Sequence, residues 1–290
     1  MKAYSLVVLM IALTILSACG DNILQNPQSQ SSISPPQNLR AFSVNQSTVS
    51  ISWTASTSAT DTAFAGYTVY WGTRQDTVGE SVLSYVIDSL AGEVTVSVRS
   101  RMHTGTLSDA VSINCAPAAR FDAPSLLTEY YNTDPSRLAG FDVGGQNSDP
   151  LRFAINVADP AVAAQMDCYL FGGEGEIELP LELRSANVFF GPWNVTLFST
   201  VSHSSTSLDY PLAAFPDVTT FTENHVDLEN NTIYYVRVVG DQGGVNYARL
   251  HVRLLGGSQR NRSVEIRVSL QRLPGVLFAF VPSGDIFSLL

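Results

Sequence analysis

Lysine is almost missing: Lys2 is the one lysine in 290 residues, and every other cationic side chain is an arginine. Charge as a whole is sparse, at 14% of residues, and its balance is acidic, with a net charge of −10. A chain of that balance lacks the basic surface that nucleic acid requires, and it excludes docking by charge onto an anionic membrane. Cysteine is scarce, with three residues, and none has zinc-site spacing. The four histidines, His103, His203, His225 and His251, stand far apart and form no metal pair. No Gly-x-Ser-x-Gly elbow and no glycine-rich phosphate loop is found, so the chain lacks the convergent groups of an enzyme. The expectation is a non-catalytic protein without metal or cofactor.

What is abundant is apolar: hydrophobic residues make up 45% of the chain, enough for a sizeable core. The N-terminus concentrates part of it. After Lys2 comes an apolar stretch over 6–16, then small residues, the pattern of an export signal and too short for a permanent membrane span. Leu16-Ser17-Ala18-Cys19-Gly20 resembles the bacterial lipobox. That resemblance implies removal of residues 1–18, lipidation of Cys19, and a cell-envelope location. Gly20 in place of Asp points to sorting to the outer membrane. Residues 19–33, rich in Gln, Ser, Asn and Pro, then read as a flexible tether.

From Pro35 onward the text turns to short alternating runs. Val49, Ile51 and Trp53 alternate with Ser50 and Ser52; Tyr67, Val69 and Trp71 with Thr68 and Tyr70; Val94, Val96 and Val98 with Thr95 and Ser97. Period-two runs between polar turns predict half-buried strands of an antiparallel sandwich. Pro35-Pro36-Gln37-Asn38-Leu39, the Val49 to Trp53 strand and Gly66-Tyr67-Thr68-Val69-Tyr70-Trp71-Gly72 resemble a fibronectin type III domain over 34–115. The resemblance implies a core Trp53 on strand B and Val94 to Val98 as strand F. It departs from the family at the E–F corner, where Ala91-Gly92-Glu93 replaces the usual tyrosine.

Residues 116–124, with two prolines, read as a linker, and 125–290 as a second β-rich domain. Its predicted strands cover 151–157, 168–171, 177–183 and 194–197, followed by a β-meander over 233–239, 247–255 and 264–270. The strands Tyr234-Tyr235-Val236-Arg237 and Asn246 to Val252 loosely resemble the end of the β-sandwich in HmuY-like haem-binding lipoproteins. The fold class is therefore all-β, a fibronectin-like sandwich plus a second antiparallel sandwich.

Candidate sites are few. Phe189, Phe190 and Trp193 form an aromatic segment that on a loop would stack on a sugar or dock a protein, or else close a core. Glu174, Glu176, Glu178 and Glu182, evenly spaced, read as a strand's solvent face. His103 falls in a loop, and His251 with Arg249 and Arg253 on one solvated strand face. Seven arginines from Arg237 to Arg272 read the same way, paired with acids such as Glu265 across strands. Cys115 and Cys168 would lie in a compartment that permits a disulfide pinning the two domains; buried as free thiols they would be small hydrophobes. The functional expectation is a lipid-anchored adhesion, scaffold or spacer module contacting an envelope protein or glycan. The alternative is a binder of a small ligand, carbohydrate through Trp193 or haem through histidines.

Overall fold

A computed structural model gives the architecture. It describes residues 33–279 apart from 46, 131–133, 135, 146–147, 156–158, 160–164, 174–178, 192–193, 210–214, 240–243 and 259.

The first sandwich is built from seven strands. β1 (Gln37–Asn45), β2 (Thr48–Thr54) and β5 (Ser84–Ile87) form one antiparallel sheet in the order β1-β2-β5. β3 (Phe64–Trp71), β4 (Arg74–Val78), β6 (Val94–Met102) and β7 (Val111–Cys115) form the other, in the order β4-β3-β6-β7. Alternation decides what faces inward: Val49, Ile51 and Trp53 from one sheet meet Tyr67, Val69, Val96 and Val98 from the other, all buried. Trp53 meets Tyr67 edge-on at 5.3 Å, and the Tyr67 hydroxyl accepts from the Ser56 amide, so the ring is held at both ends. Gly66 has no substitute. Its φ is +110°, and a Cβ there would lie 2.1 Å from the Val78 carbonyl, at the point where the β3–β6 register slips.

The second sandwich is larger. Its six-stranded sheet has the order β14-β13-β16-β17-β18-β8, from β14 (Phe221–Glu223), β13 (Val195–Ser204), β16 (Thr232–Val239), β17 (Val245–Gly256), β18 (Ser263–Gln271) and β8 (Ala119–Thr128). The five-stranded sheet runs β10-β9-β11-β12-β15, from β10 (Leu151–Phe153), β9 (Gly140–Asp142), β11 (Cys168–Phe171), β12 (Glu182–Ser185) and β15 (His225–Asp227). The expected meander is β16-β17-β18. Its register places Tyr234 opposite Leu250, Val236 opposite Ala248 and Leu250 opposite Val268. These side chains meet Phe141, Val143, Leu170 and Leu183 of the facing sheet in one buried core.

Four expectations are corrected. The linker is only 116–118, because Ala119 already opens β8 and pairs with Leu270. Pro124 lies within this edge strand, where a missing N–H is tolerated and the ladder is irregular, which made the segment read as a linker. Cys115 and Cys168 are free and unbridged: Cys115 belongs to the first core and Cys168 to the second. His251 and Arg249 do not face water. They lie on the outer face of β17, at 1% exposure each, on the face where Leu208 and Phe221 pack on Ile233, Tyr235 and Tyr247. Finally, Glu182 is buried and lies 2.6 Å from the Arg184 guanidinium.

The two sandwiches share packing. The Ser43 hydroxyl accepts from the Ala118 amide at 2.7 Å, which fixes the short connection to β1. After β18 the chain returns: Val276 and Phe278 join the first core, while Leu277 packs against the cluster on the outer face of the second. The Gln271 side chain donates to the Phe278 carbonyl at 2.6 Å, and the Gly275 amide donates to Val245 at 2.7 Å, holding that return in place.

Candidate functional site

At one end of the second sandwich, three strand termini converge on a polar cleft of about 250 Å³. Asp142 closes β9, Asp167 immediately precedes β11, and Asn194 immediately precedes β13. Gln165, Ser148 and, from β17, Asn246 complete the polar lining, with Leu151 and Val238 as apolar wall. The position follows from the fold. Asp142 and Asp167 come from neighbouring antiparallel strands, with Phe141 paired opposite Cys168, so residues distant in sequence end side by side.

Both carboxyls are buried, at 8% and 2% exposure, and they line the same cleft side by side, near enough to shift each other's titration. Each has further partners. Asp167 Oδ2 accepts from the Val143 amide at 2.8 Å and its Oδ1 from Asn194 Nδ2 at 2.9 Å; Asp142 Oδ1 accepts from the Gly144 amide at 2.6 Å. The Asp167 main chain is tied down as well, since its carbonyl accepts from the Thr196 hydroxyl at 2.8 Å and the Ala186 amide at 3.0 Å. Burial, followed by the charge of Asp142, pushes the Asp167 carboxyl well above the ordinary carboxylate range; burial raises Asp142 too. Two neighbouring acids out of water resist carrying two negative charges at once, so the pair holds on to a proton. Beside them lie amide groups able to meet a small polar ligand.

The structure disperses the residues singled out in the sequence. Cys19 and Trp193 lie outside the described residues. Phe189 and Phe190 fall in the short helix α1 (Ala186–Phe190), and their side chains are likewise outside the description. Glu174, Glu176 and Glu178 are outside it too. Cys115 and Cys168 serve the two cores, and burial raises both thiols, Cys115 to about 12. His203 lies 3.3 Å from the Tyr235 hydroxyl through Nδ1, and His251 Nε2 lies 3.0 Å from the Ser205 carbonyl. His225 is exposed and bonded to Asn224, and His103 falls in the turn after β6. No group of three or more His, Cys, Asp or Glu able to hold a metal occurs among the described residues.

The seven arginines also divide. Arg253 faces Glu265 across the ladder at 2.8 Å, as expected, whereas Arg249 is buried with its guanidinium 5.7 Å from the Tyr235 ring. Arg262 is turned inward onto Glu129, and Arg272 pairs with the exposed Asp149. Sequence reasoning missed Asp142 and Asp167 altogether. The available signal was an acid set in an apolar run, Phe141-Asp142-Val143 and Met166-Asp167-Cys168, where a solvated aspartate is out of place.

Residues 34–112 match the family model of the fibronectin type III domain, a common binding and scaffold module, and the strand arrangement β1-β2-β5 over β4-β3-β6-β7 accords with it. Among solved structures, a two fibronectin type III domain segment from chicken tenascin matches at 13% identity and a TM-score of 0.26, covering 82% of this chain and 99% of that one. No curated protein matches.

Proposed function

We propose that this is a lipid-anchored protein of the bacterial cell envelope, held to the outer membrane through Cys19 and acting as a non-catalytic scaffold or binding module for an envelope protein or glycan. The observation that carries the reading is the fibronectin type III domain at 34–112, directly downstream of a lipobox-like Leu16-Ser17-Ala18-Cys19 and a polar tether. Two sandwiches joined by a three-residue connection and a returning C-terminal segment suit a spacer that must transmit position. Buried polar groups such as Glu129, Arg249 and His251 lie inside the packing, which leaves them little part in surface chemistry.

Labelling with a clickable fatty acid in a bacterial host tests the anchor. The wild-type chain should incorporate the label and fractionate with outer membrane, and Cys19→Ser should do neither; label on the Ser variant overturns the assignment. Cross-linking in intact cells tests the scaffold role, which requires recovery of a defined envelope component. A second reading, binding of a small polar ligand, is favoured by the cleft beside Asn194. It requires a saturable shift in melting temperature with a sugar panel that Asn194→Ala abolishes.

A further inference from the structure

We propose that the Asp142–Asp167 pair is a proton-dependent clasp: a shared proton holds the loop after β9 and the start of β13 against the five-stranded sheet, and loss of that proton loosens the cleft they line. The geometry is that of a junction. Asp167 takes the Val143 amide with one oxygen and Asn194 with the other, while Asp142 takes the Gly144 amide. The pair therefore joins β9, the approach to β11 and the approach to β13, two strands of one sheet and one of the other. With one proton between them the carboxyls attract each other; with none, two negative charges stand side by side inside the protein, and separation or hydration is the only relief.

Few other charges reach the pair. From β11 the Cys168 thiol faces it, and from β13 the neutral Asn194 and Thr196. From β16 and β17 come Val238 and Asn246, both uncharged. Arg272, after β18, is paired with Asp149 and donates also to the Gly145 and Ser148 carbonyls. On β12, Arg184 is engaged by Glu182 and stacks on the Phe171 ring; on β10, Arg152 donates to the Leu126 carbonyl. No cation compensates a doubly ionised pair among the described residues that face it. The folded state therefore binds the proton more tightly than the unfolded chain. The clasp is complete below the ordinary carboxyl range, about pH 4, and is lost as the pH rises through the raised value.

The test is amide hydrogen exchange of the full chain, corrected for intrinsic rates and measured in chelator from mildly acidic to mildly alkaline pH. In wild-type protein, protection at Val143, Gly144 and Thr196 should fall roughly tenfold or more as the pH rises, the equivalent of one pKa unit. Protection in the β16–β18 meander should stay level. Asp142→Asn is the decisive variant, because its amide keeps the acceptor for Gly144 and donates to Asp167 without needing the proton. Its protection at the same amides should be flat across the range. Should Asp142→Asn not fold, Asp167→Asn serves, with the same flat profile expected. Equal profiles in wild type and variant overturn the clasp. So does restoration of wild-type protection at high pH by millimolar calcium, which would make the pair a cation seat instead.

Discussion

Arg262 holds Glu129 across 133 residues of chain. Its Nη2 and Nε reach one carboxylate oxygen at 2.8 and 3.0 Å, while its own amide donates to the other at 3.2 Å. Two further guanidinium donors go to the Gly172 and Leu179 carbonyls, at 2.7 and 2.8 Å. One ion pair, with side-chain exposures of 13% and 3%, thus ties β8, the segment after β11 and the β17–β18 connection together. Gly172 makes room for it, since a Cβ there would fall 1.8 Å from Glu129 Oε2.

Removing one partner leaves the other buried and unpaired. Glu129→Ala should cost about 3–5 kcal/mol of unfolding free energy, and Arg262→Ala a comparable amount. The double variant should cost distinctly less than the sum, because the orphaned charge is gone. Urea unfolding with an unchanged slope measures all three; additive losses would contradict a mutual clamp.

The histidines set an acid limit. Burial, and then the neighbouring arginines, lower His251, and burial followed by Arg249 lowers His203, so the fold keeps both neutral. A lowered base binds protons more readily in the unfolded chain. Stability is therefore full above the unfolded value, about 6.5, and declines as the pH falls below it. Melting temperature should drop on acidification from neutral pH, and His251→Gln, which can still donate to Ser205, should flatten that drop. This trend opposes that of the Asp142–Asp167 pair, whose contribution is full below about pH 4 and is lost as the pH rises.

The thiols should be silent. With both thiols raised by burial, Cys115 to about 12, and both enclosed, neither should react with iodoacetamide at neutral pH until denaturant is added. Peptide mapping of non-reduced protein should find Cys115 and Cys168 unlinked. A linked peptide would require the two cores to open.

Phe278 belongs to the first core although it follows the last strand of the second domain. Phe278→Ala should destabilise the first sandwich by about 3 kcal/mol, in the range for a buried aromatic. The change should be visible in Trp53 emission, with Trp71 and Trp193 replaced by Phe to isolate it. Residues 34–115 taken alone should melt lower than the same domain within the full chain. Equal melting would mean that the return segment adds nothing to that core.

Much of this was legible wherever one face of a strand is apolar and the other polar. Val94, Val96 and Val98, or Val264, Ile266 and Val268, announce a half-buried strand by themselves, and the glycines after Leu255 announce the turn. The six-stranded sheet was harder because both its faces are covered. On β17, Arg249 and His251 read as solvated when local alternation alone is considered; their burial follows from cover supplied by residues such as Leu208 and Phe221. Asp142 and Asp167 were illegible for a related reason. Strand pairing between β9 and β11 makes their proximity, and nothing in the 24 intervening positions encodes it locally.

The return of Val276 and Phe278 to the first core also fixes an order of events during synthesis. A ribosome delivers the fibronectin-like strands first, yet two of the side chains that complete their hydrophobic cluster are made only after β18. Until then the N-terminal sandwich waits with apolar surface uncovered, and the closure that ends this state spans nearly the whole chain, among the slowest classes of contact to form. Folding of the earliest-made domain is finished by the latest-made residues, so a chain that has emerged only part of the way from β7 to β18 is the one most in need of a chaperone.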